Sequence, residues 1–522
     1  MNDSTTFFSP RYLTLILILL FGLGFGIRLY ELTNPPLDFH PTRQLLSAIK
    51  ARGMYYQGRS DLPAAQRQFA VQEWKSKAEI EPEIVEHLAA FIYRFTGEQI
   101  WIGRIDSSLF WIIGGIFLFL LLHDLVSLDG ALLGTAFYLF LPWGVIASRS
   151  FQPDPLMVLF IILFWWALNR FMRMVEPRSG EVKEKKESLH SFFLRGETVW
   201  AILAGLFGGL AIFIKFSAAF FVLGGGLGML LGRLKIQDAL RRPQIWIMVM
   251  LGALPGAAYL IYGTVFAGFL GQQFDGRFIP SLLVGPALYI NWITTLNHVL
   301  GGAALALALL GIFFFRERAA RSFVIGLWAA YLLYGLYFDY HIWSHDYYNL
   351  PLVPLAAVSL AALGDWFMTR LAEATSSSRW MRILAASILT FGLFAVIMDA
   401  RATLKSVDYR PQVQMWSEIG QKLGPDARVV SLTEDYGSSL AYWGWLDSTA
   451  WPLIGDINYH SGLRGAQNDF EGRFKSLAAK RDFFLVTTPD ELNAQPLLKA
   501  RLEQYPIFAQ GAGYIIYDLR SS

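Results

Sequence analysis

The chain of 522 residues contains no cysteine. Disulfides, thiolate nucleophiles and Cys-ligated zinc or iron–sulfur centres are therefore excluded. Charge is scarce as well. Asp, Glu, Lys and Arg make up 16% of the residues, against about a quarter in soluble domains that must cover a large wet surface. The formal net charge of +3 is too small to point to a nucleic-acid partner, and no basic block is interleaved with base-stacking aromatics. No internal repeat is evident, which weakens a transporter built from duplicated halves. A Gly-rich phosphate loop and a nucleophile elbow are missing from the C-terminal region. What the chain does have is apolar sequence: 54% of it is hydrophobic, with a mean hydropathy of +0.39. Runs close to the roughly 20 residues that span a bilayer recur along it. This is the composition of a polytopic α-helical membrane protein.

About eleven spans are expected, over 11–29, 103–122, 130–147, 155–172, 198–214, 217–232, 245–267, 298–315, 322–338, 348–368 and 383–399. The first reads as an uncleaved anchor, because its apolar run continues through Gly22, Gly24 and Gly26 to Arg28 without a small-x-small cleavage site. Cationic loops resist translocation, so Lys and Arg set the orientation. A cytoplasmic N-terminus makes four basic loops internal. They hold Arg173, Arg178, Lys183, Lys185, Lys186 and Arg195; Arg233, Lys235, Arg241 and Arg242; Arg316, Arg318 and Arg321; and Arg370, Arg379 and Arg382. The mixed charge run over 176–197 reads as a solvated cytoplasmic linker. The expected location is the plasma (inner) membrane, with the C-terminal segment outside.

From residue 400 the pattern changes. Short β-like runs at 428–432 (RVVSL), 483–488 (FFLVTT) and 514–519 (YIIYDL) alternate with amphipathic helical stretches at 411–423, 469–480 and 490–504. This predicts a small extracytoplasmic α/β domain over 401–522, after a membrane domain over 1–400. Within 436–451, Tyr442, Trp443, Trp445 and Trp451 suit either sugar stacking or ordinary packing, and packing is the commoner use.

The first external loop, about 30–100, is the most unusual segment. Asp38, His40 and Arg43 lie within six residues, braced by Pro35, Pro36 and Pro41. Apolar residues at helical spacing after Pro41, and again over 79–95 with Glu81, Glu83, Glu86 and His87, predict amphipathic helices on the membrane surface. Asp38 is either a turn or cap aspartate or a general base. The Asp-x-His spacing also fits a metal pair, although no further ligand lies close by. Other ionisable groups sit at the external ends of spans: Arg104 and Asp106, Arg149 and Asp154, Lys215, Asp339 with His341, and His345 with Asp346, Tyr347 and Tyr348. Each alone is explained by snorkelling. Gathered on one side, they suit an anionic lipid head group and an acceptor hydroxyl.

In this order the residues resemble the GT-C glycosyltransferases, in particular the protein O-mannosyltransferase and aminoarabinose-transferase-like group, over about 10–400. An acidic residue follows the first span (Asp38), a Pro element closes the loop (Glu81-Pro82-Glu83), and Arg104 opens the second span. An R…PD element runs from Arg149 to Asp154, Lys215 ends a Gly-rich span, and His345-Asp-Tyr347-Tyr348 precedes Pro351 and Pro354. One departure stands out. The family often carries an adjacent Asp-Glu pair, whereas this chain has Asp38-Phe39, with Thr42-Arg43 further on. Asp38 is the preferred equivalent, and alignment of the pair with Thr42-Arg43 stays open.

The resemblance implies transfer of a sugar from a polyprenyl-phosphate donor to an acceptor hydroxyl at the outer membrane face. Asp38 is the implied base, and Lys215, Arg104, Arg149 and Arg277 the implied phosphate-binding cations. His40, Arg43, Glu81, Glu83, Asp154, His345 and Tyr348 would contact substrate. No metal or other cofactor is implied. The partners are the lipid-linked donor, membrane lipid and an acceptor that is a glycan, a lipid or a protein. Two other readings stay open: a lipid or glycan transporter, and an inactive relative whose outer domain binds cell-envelope glycan.

Overall fold

The computed structural model describes residues 6–175, 195–270, 277–463, 465 and 468–521. Most of the linker expected at 176–197, with Arg178, Lys183, Lys185 and Lys186, lies outside the described residues. The chain separates into two compact units. One comprises 1–32, 79–84 and 104–406. The other comprises 33–78, 85–103 and 407–522. Most of the first external loop thus clusters with the C-terminal residues, and the division does not fall at residue 400.

In the first unit, eight described helices are long and apolar enough to cross a membrane: Pro10–Leu29, Ile102–Leu125, Asp154–Met174, Gly196–Ile214, Pro243–Phe266, Arg318–Tyr337, Asp346–Thr375 and Arg379–Leu404. Two further apolar helix pairs are sharply bent, which the apolar runs did not reveal. Leu128–Phe140 and Pro142–Ser148 meet at 62°, and Pro286–Leu300 and Gly302–Phe314 at 90°. Pro142 has no N–H to continue the ladder, and Leu141 before it is extended in ψ (118°). Gly301 adopts φ 80° between the other two helices, a conformation that suits only glycine. The run at 217–232 forms the shorter helix Ala218–Arg233.

Small residues let these helices touch at their backbones. A Cβ on Gly209 would lie 2.3 Å from the Leu251 carbonyl, and one on Gly224 would lie 2.3 Å from Ala330 Cβ. Burial varies widely. In the most apolar window of Asp154–Met174, 83% of residues are buried, against 6% in Arg379–Leu404. The second helix exposes Leu384, Ile388 and Phe391, an apolar surface suited to lipid rather than water.

The second unit contains a five-stranded sheet of β1 (Val429–Leu432), β2 (Ser448–Ala450), β3 (Phe483–Val486), β4 (Ile507–Gly511) and β5 (Tyr514–Asp518). The strand order is β2-β1-β3-β5-β4. β1 runs parallel to β2 and β3, and β5 runs antiparallel to β3 and β4. Both faces of the sheet are covered. Val430, Leu432, Phe484 and Trp451 pack on one side, and Val429, Phe483, Leu485 and Trp416 on the other. The helical stretch expected over 490–504 divides into Pro489–Asn493 and Pro496–Leu502, the second starting at a proline that cannot continue the first.

Helix Pro41–Gln57 also belongs to this unit and is not a membrane-surface helix. It is buried on nearly every side, Lys50 and Arg52 included. Three of its polar side chains are bonded within the unit. Lys50 Nζ donates to the Ala78 carbonyl at 2.9 Å, Ser47 Oγ to Glu86 at 2.7 Å and Arg52 Nε to Glu98 at 2.7 Å. A polar face that looks solvated on a helical wheel is here an internal hydrogen-bonding face.

Candidate functional site

In the first unit two carboxylates meet at Lys215. This residue ends helix Gly196–Ile214 with an extended backbone (φ −153°, ψ 118°). Its ammonium lies 2.8 Å from Asp154 Oδ1 and 3.8 Å from Glu81 Oε1. Asp154 opens helix Asp154–Met174, where the helix dipole favours a carboxylate. The side chain of Asp154 is 1% exposed, and its Oδ2 has no hydrogen-bond partner among the described residues. The rings of Tyr347 and Tyr348 approach the ammonium at 4.9 and 5.0 Å, within cation–π range.

Arg277 adds a second cation by donating to the Tyr348 hydroxyl at 2.7 Å. Two residues later, the Ile279 amide donates to Asp339 Oδ2 at 2.8 Å, which pins the chain beside Arg277. The turn bearing Tyr347 and Tyr348 is fixed by Asn349, whose Nδ2 donates to the Ile342 carbonyl at 2.9 Å. His345 Nδ1 lies 2.9 Å from Ser344 Oγ. Burial first, then Arg277, His345 and Lys215, push the His341 imidazole down to about 3, so it is neutral at pH 7. Burial likewise raises the Asp339 carboxyl above its ordinary value. A cavity of about 90 Å³, lined by Glu81, Lys215, Arg277 and Tyr348 among others, opens here. At about 30 Å³ per water, it holds a few waters or a small anionic group.

The remaining predicted cations have other surroundings. Arg149 Nη1 donates to the Tyr30 carbonyl at 2.5 Å and the Arg28 carbonyl at 3.3 Å, capping the end of the first span. Arg104 is buried near the start of helix Ile102–Leu125, with Asp106 one turn-fraction further on. Glu83 sits in the same short segment as Glu81.

Asp38, His40 and Arg43 belong to the second unit. Gln44 Nε2 lies 3.4 Å from Asp38 Oδ1 and 2.6 Å from the Phe39 carbonyl. His40 precedes helix Pro41–Gln57 with φ 44°, a left-handed conformation uncommon outside glycine. Asp38 and His40 line a cavity of about 650 Å³ within this unit. The 436–451 aromatics divide by role. Trp451 is fully buried and donates to Gln495 at 2.8 Å. Arg52 stacks on Tyr442 at 3.6 Å and on Trp445 at 4.4 Å. Among the described residues no group of three or more His, Asp or Glu side chains could hold a metal ion. Sequence reasoning gave no separate role to Tyr347 or His341. The signal was present in their cluster with Tyr348 and His345, but only folding brought Lys215 to it.

Residues 81–179 match the family model described as dolichyl-phosphate-mannose-protein mannosyltransferase. That segment contains Glu81, Glu83, Arg104, Arg149 and Asp154. No curated protein sequence matches the chain. Among solved structures, ArnT from Cupriavidus metallidurans bound to undecaprenyl phosphate is 12% identical with a TM-score of 0.57, the match covering 98% of each chain. The archaeal oligosaccharyltransferase AglB from Archaeoglobus fulgidus, in complex with an inhibitory peptide and a dolichol-phosphate, is 11% identical with a TM-score of 0.58, covering 98% of this chain and 75% of that one. The chain is thus a multi-pass membrane protein with the fold of the GT-C glycosyltransferases, and its 81–179 segment is similar to the mannosyltransferase family.

Proposed function

We propose that the protein is an integral-membrane glycosyltransferase that moves a sugar from a polyprenyl-phosphate donor to an acceptor hydroxyl. The observation that carries this reading is the Lys215 ammonium, held by Asp154 and Glu81 beside Arg277 and Tyr348, in a fold shared with proteins solved with lipid phosphates. In the reaction the acceptor oxygen bonds to the anomeric carbon as its proton passes to the Asp38 carboxylate. The bond from that carbon to the phosphate oxygen breaks, and the polyprenyl phosphate leaves with the electron pair. Lys215 and Arg277 are assigned to the charge developing on that phosphate. Glu81, at the longer of the two distances from Lys215, is the carboxylate a phosphate oxygen would displace. Asp154 would hold the ammonium in place. Arg104 and Arg149 are secondary phosphate contacts, and His345 and Tyr348 are assigned to binding donor phosphate or sugar. His40, Arg43 and Glu83 are assigned to substrate binding on the strength of the sequence pattern.

The test follows release of free polyprenyl phosphate from short-chain polyprenyl-phosphate sugars by the purified protein. Asp38→Asn keeps the side chain's shape and removes its basicity. Its turnover should fall by about 10²–10⁴-fold, as for loss of a general base, with the melting temperature unchanged. Equal rates for the parent and both Asp38→Asn and Lys215→Ala would overturn the assignment.

Orientation is part of the same reading, with the N-terminus cytoplasmic and residues 407–522 outside the plasma membrane. The chain has no cysteine, so single substitutions report cleanly. An impermeant maleimide on intact cells should label Ser476→Cys and spare Arg233→Cys. The reverse pattern would invert the topology.

A further inference from the structure

Helix Ala218–Arg233 has 16 residues. At 1.5 Å per residue it rises about 24 Å, short of the roughly 30 Å hydrocarbon core of a bilayer. The connector that follows, over 234–242, is therefore drawn to the membrane boundary rather than held out in water. It contains one short helix, Ile236–Leu240, none of whose residues is buried. Ile236 and Leu240 lie four apart and so share a face, and they are 60% and 54% exposed. Asp238 and Arg241 fall on the other side. Trp246 is 51% exposed, and its Nε1 donates to the Leu240 carbonyl at 2.9 Å. That bond satisfies a carbonyl at the helix end and holds the indole beside the turn. Tryptophan is a ring that favours the lipid–water interface.

The charge at this end of the bundle has one dominant sign. Helix Arg318–Tyr337 begins close by, since a Cβ on Gly232 would lie 2.7 Å from Ala319 Cα. Residues 232–242 and 316–321 together hold seven Lys and Arg against Asp238 and Glu317. Three of these cations are engaged or covered. Arg316 approaches Asp365 at 3.7 Å, Arg321 donates to the Phe315 carbonyl at 2.7 Å, and Arg242 is buried. Arg233, Lys235, Arg241 and Arg318 are exposed and have no side-chain partner among the described residues.

The two features select one occupant. A soluble anion would answer the cations and leave Ile236, Leu240 and Trp246 in water. A neutral lipid would cover the apolar side chains and leave the cations without a counterpart. A bilayer with anionic head groups meets both needs, because apolar side chains enter the acyl boundary while Lys and Arg stay at the phosphates. We propose that this end of the membrane unit is a binding surface for anionic phospholipid. Ile236, Leu240 and Trp246 seat it in the leaflet, and Arg233, Lys235, Arg241 and Arg318 meet the head groups. The proposal depends neither on the transferase reading nor on which side of the membrane this end faces.

The chain has no cysteine, so one environment-sensitive fluorophore on Leu240→Cys reports this site in the full chain, reconstituted in phosphatidylcholine vesicles. A minor fraction of the lipid is replaced by acyl-brominated phosphatidylglycerol or, in parallel, by acyl-brominated phosphatidylcholine, both contact quenchers. Quenching should show a preference for phosphatidylglycerol of about fivefold or more, the effect of a single cation near an anionic surface. High salt should shrink that preference, because exposed charges are screened. Combining Arg233→Gln, Lys235→Gln and Arg241→Gln should remove most of it. Quenching by brominated phosphatidylcholine should stay unchanged in that variant, which shows that the turn still sits in lipid. A label on Ile388→Cys, 62% exposed on helix Arg379–Leu404, should be quenched equally by the two lipids. Equal quenching at residue 240, the same preference at residue 388, or a preference that survives the triple variant would overturn the proposal. So would the absence of quenching by either lipid at residue 240, which would put the turn in water.

Discussion

The two units place their charged groups differently. In the membrane unit, Lys215 is matched by carboxylates at 2.8 and 3.8 Å and by two tyrosine rings. In the second unit, Asp38, Glu418, Glu434 and Asp435 line a cavity that has no Lys or Arg among its lining residues. The first arrangement is largely self-compensated, so an incoming phosphate must compete with Glu81. An ion pair in an apolar span must be compensated whether or not ligand is present, because an isolated charge there is expensive. Carboxylates that line a cavity reached by water can instead keep their hydration.

The largest expected effect breaks the self-compensated side. Lys215→Ala should lower donor release by about 10²–10³-fold, the usual loss for a removed electrostatic contact. It should also destabilise the protein by about 3–5 kcal/mol, because Asp154 is left buried without its cation. The double variant Lys215→Met/Asp154→Leu should recover most of that stability and none of the activity. If thermal melts showed no recovery, the pair would not be the compensated unit described here.

Arg52 extends the comparison, because it is a compensated cation within the second unit. It donates to Glu98 at 2.7 Å and to the Tyr442 carbonyl at 2.5 Å, under the Tyr442 ring. Arg52→Ala should cost about 3–5 kcal/mol by stranding Glu98. Arg52→Lys should recover only part of this, since an ammonium cannot reproduce a planar group that donates to Glu98 and to the Tyr442 carbonyl while stacked on the Tyr442 ring. Denaturant or thermal titration distinguishes the two.

Acid should act through His341. Its ordinary value of 6.5 falls to about 3 in the folded protein. Between those limits the unfolded chain binds more protons, so stability rises with pH and is lost as pH drops from about 6.5 towards 3. His341→Gln should flatten that part of the stability profile, and an unchanged slope would assign the acid sensitivity to other groups. The smallest effect is expected for Tyr348→Phe, which removes the acceptor for Arg277. About 1 kcal/mol, or roughly fivefold, should be lost in donor KM, with kcat less affected. A change confined to kcat would place Tyr348 at the reacting atoms.

Much of the fold was legible because the relevant signals are local. A run such as 155–172 must be helical and buried in lipid or protein, since its backbone has no water to bond. The strands β1, β3 and β5 announced themselves as β-branched and aromatic runs. β2 did not, because Ser448–Ala450 is only three residues long and half-buried. β4 did not either, since Ile507–Gly511 is mostly exposed. The bend at Leu141 falls inside the run read as one span, 130–147, and the bend at Gly301 falls near the start of the run 298–315. Lys215, Asp154 and Glu81 were each singled out from the pattern, yet their pairing was not, because it joins residues distant in the chain.

Sequence by itself determined that this protein spans a membrane many times, that it carries no thiol chemistry, and that its polar residues collect at span ends. These follow from composition and from hydrophobic length, which act within a few turns of chain. Only the tertiary structure decided that Lys215 meets Asp154 across 61 positions, that helix Pro41–Gln57 is internal, and that Trp416 and Asp435 line one cavity. Those outcomes depend on which buried polar atoms find partners, and that is set by packing between segments rather than by the residues within any one of them.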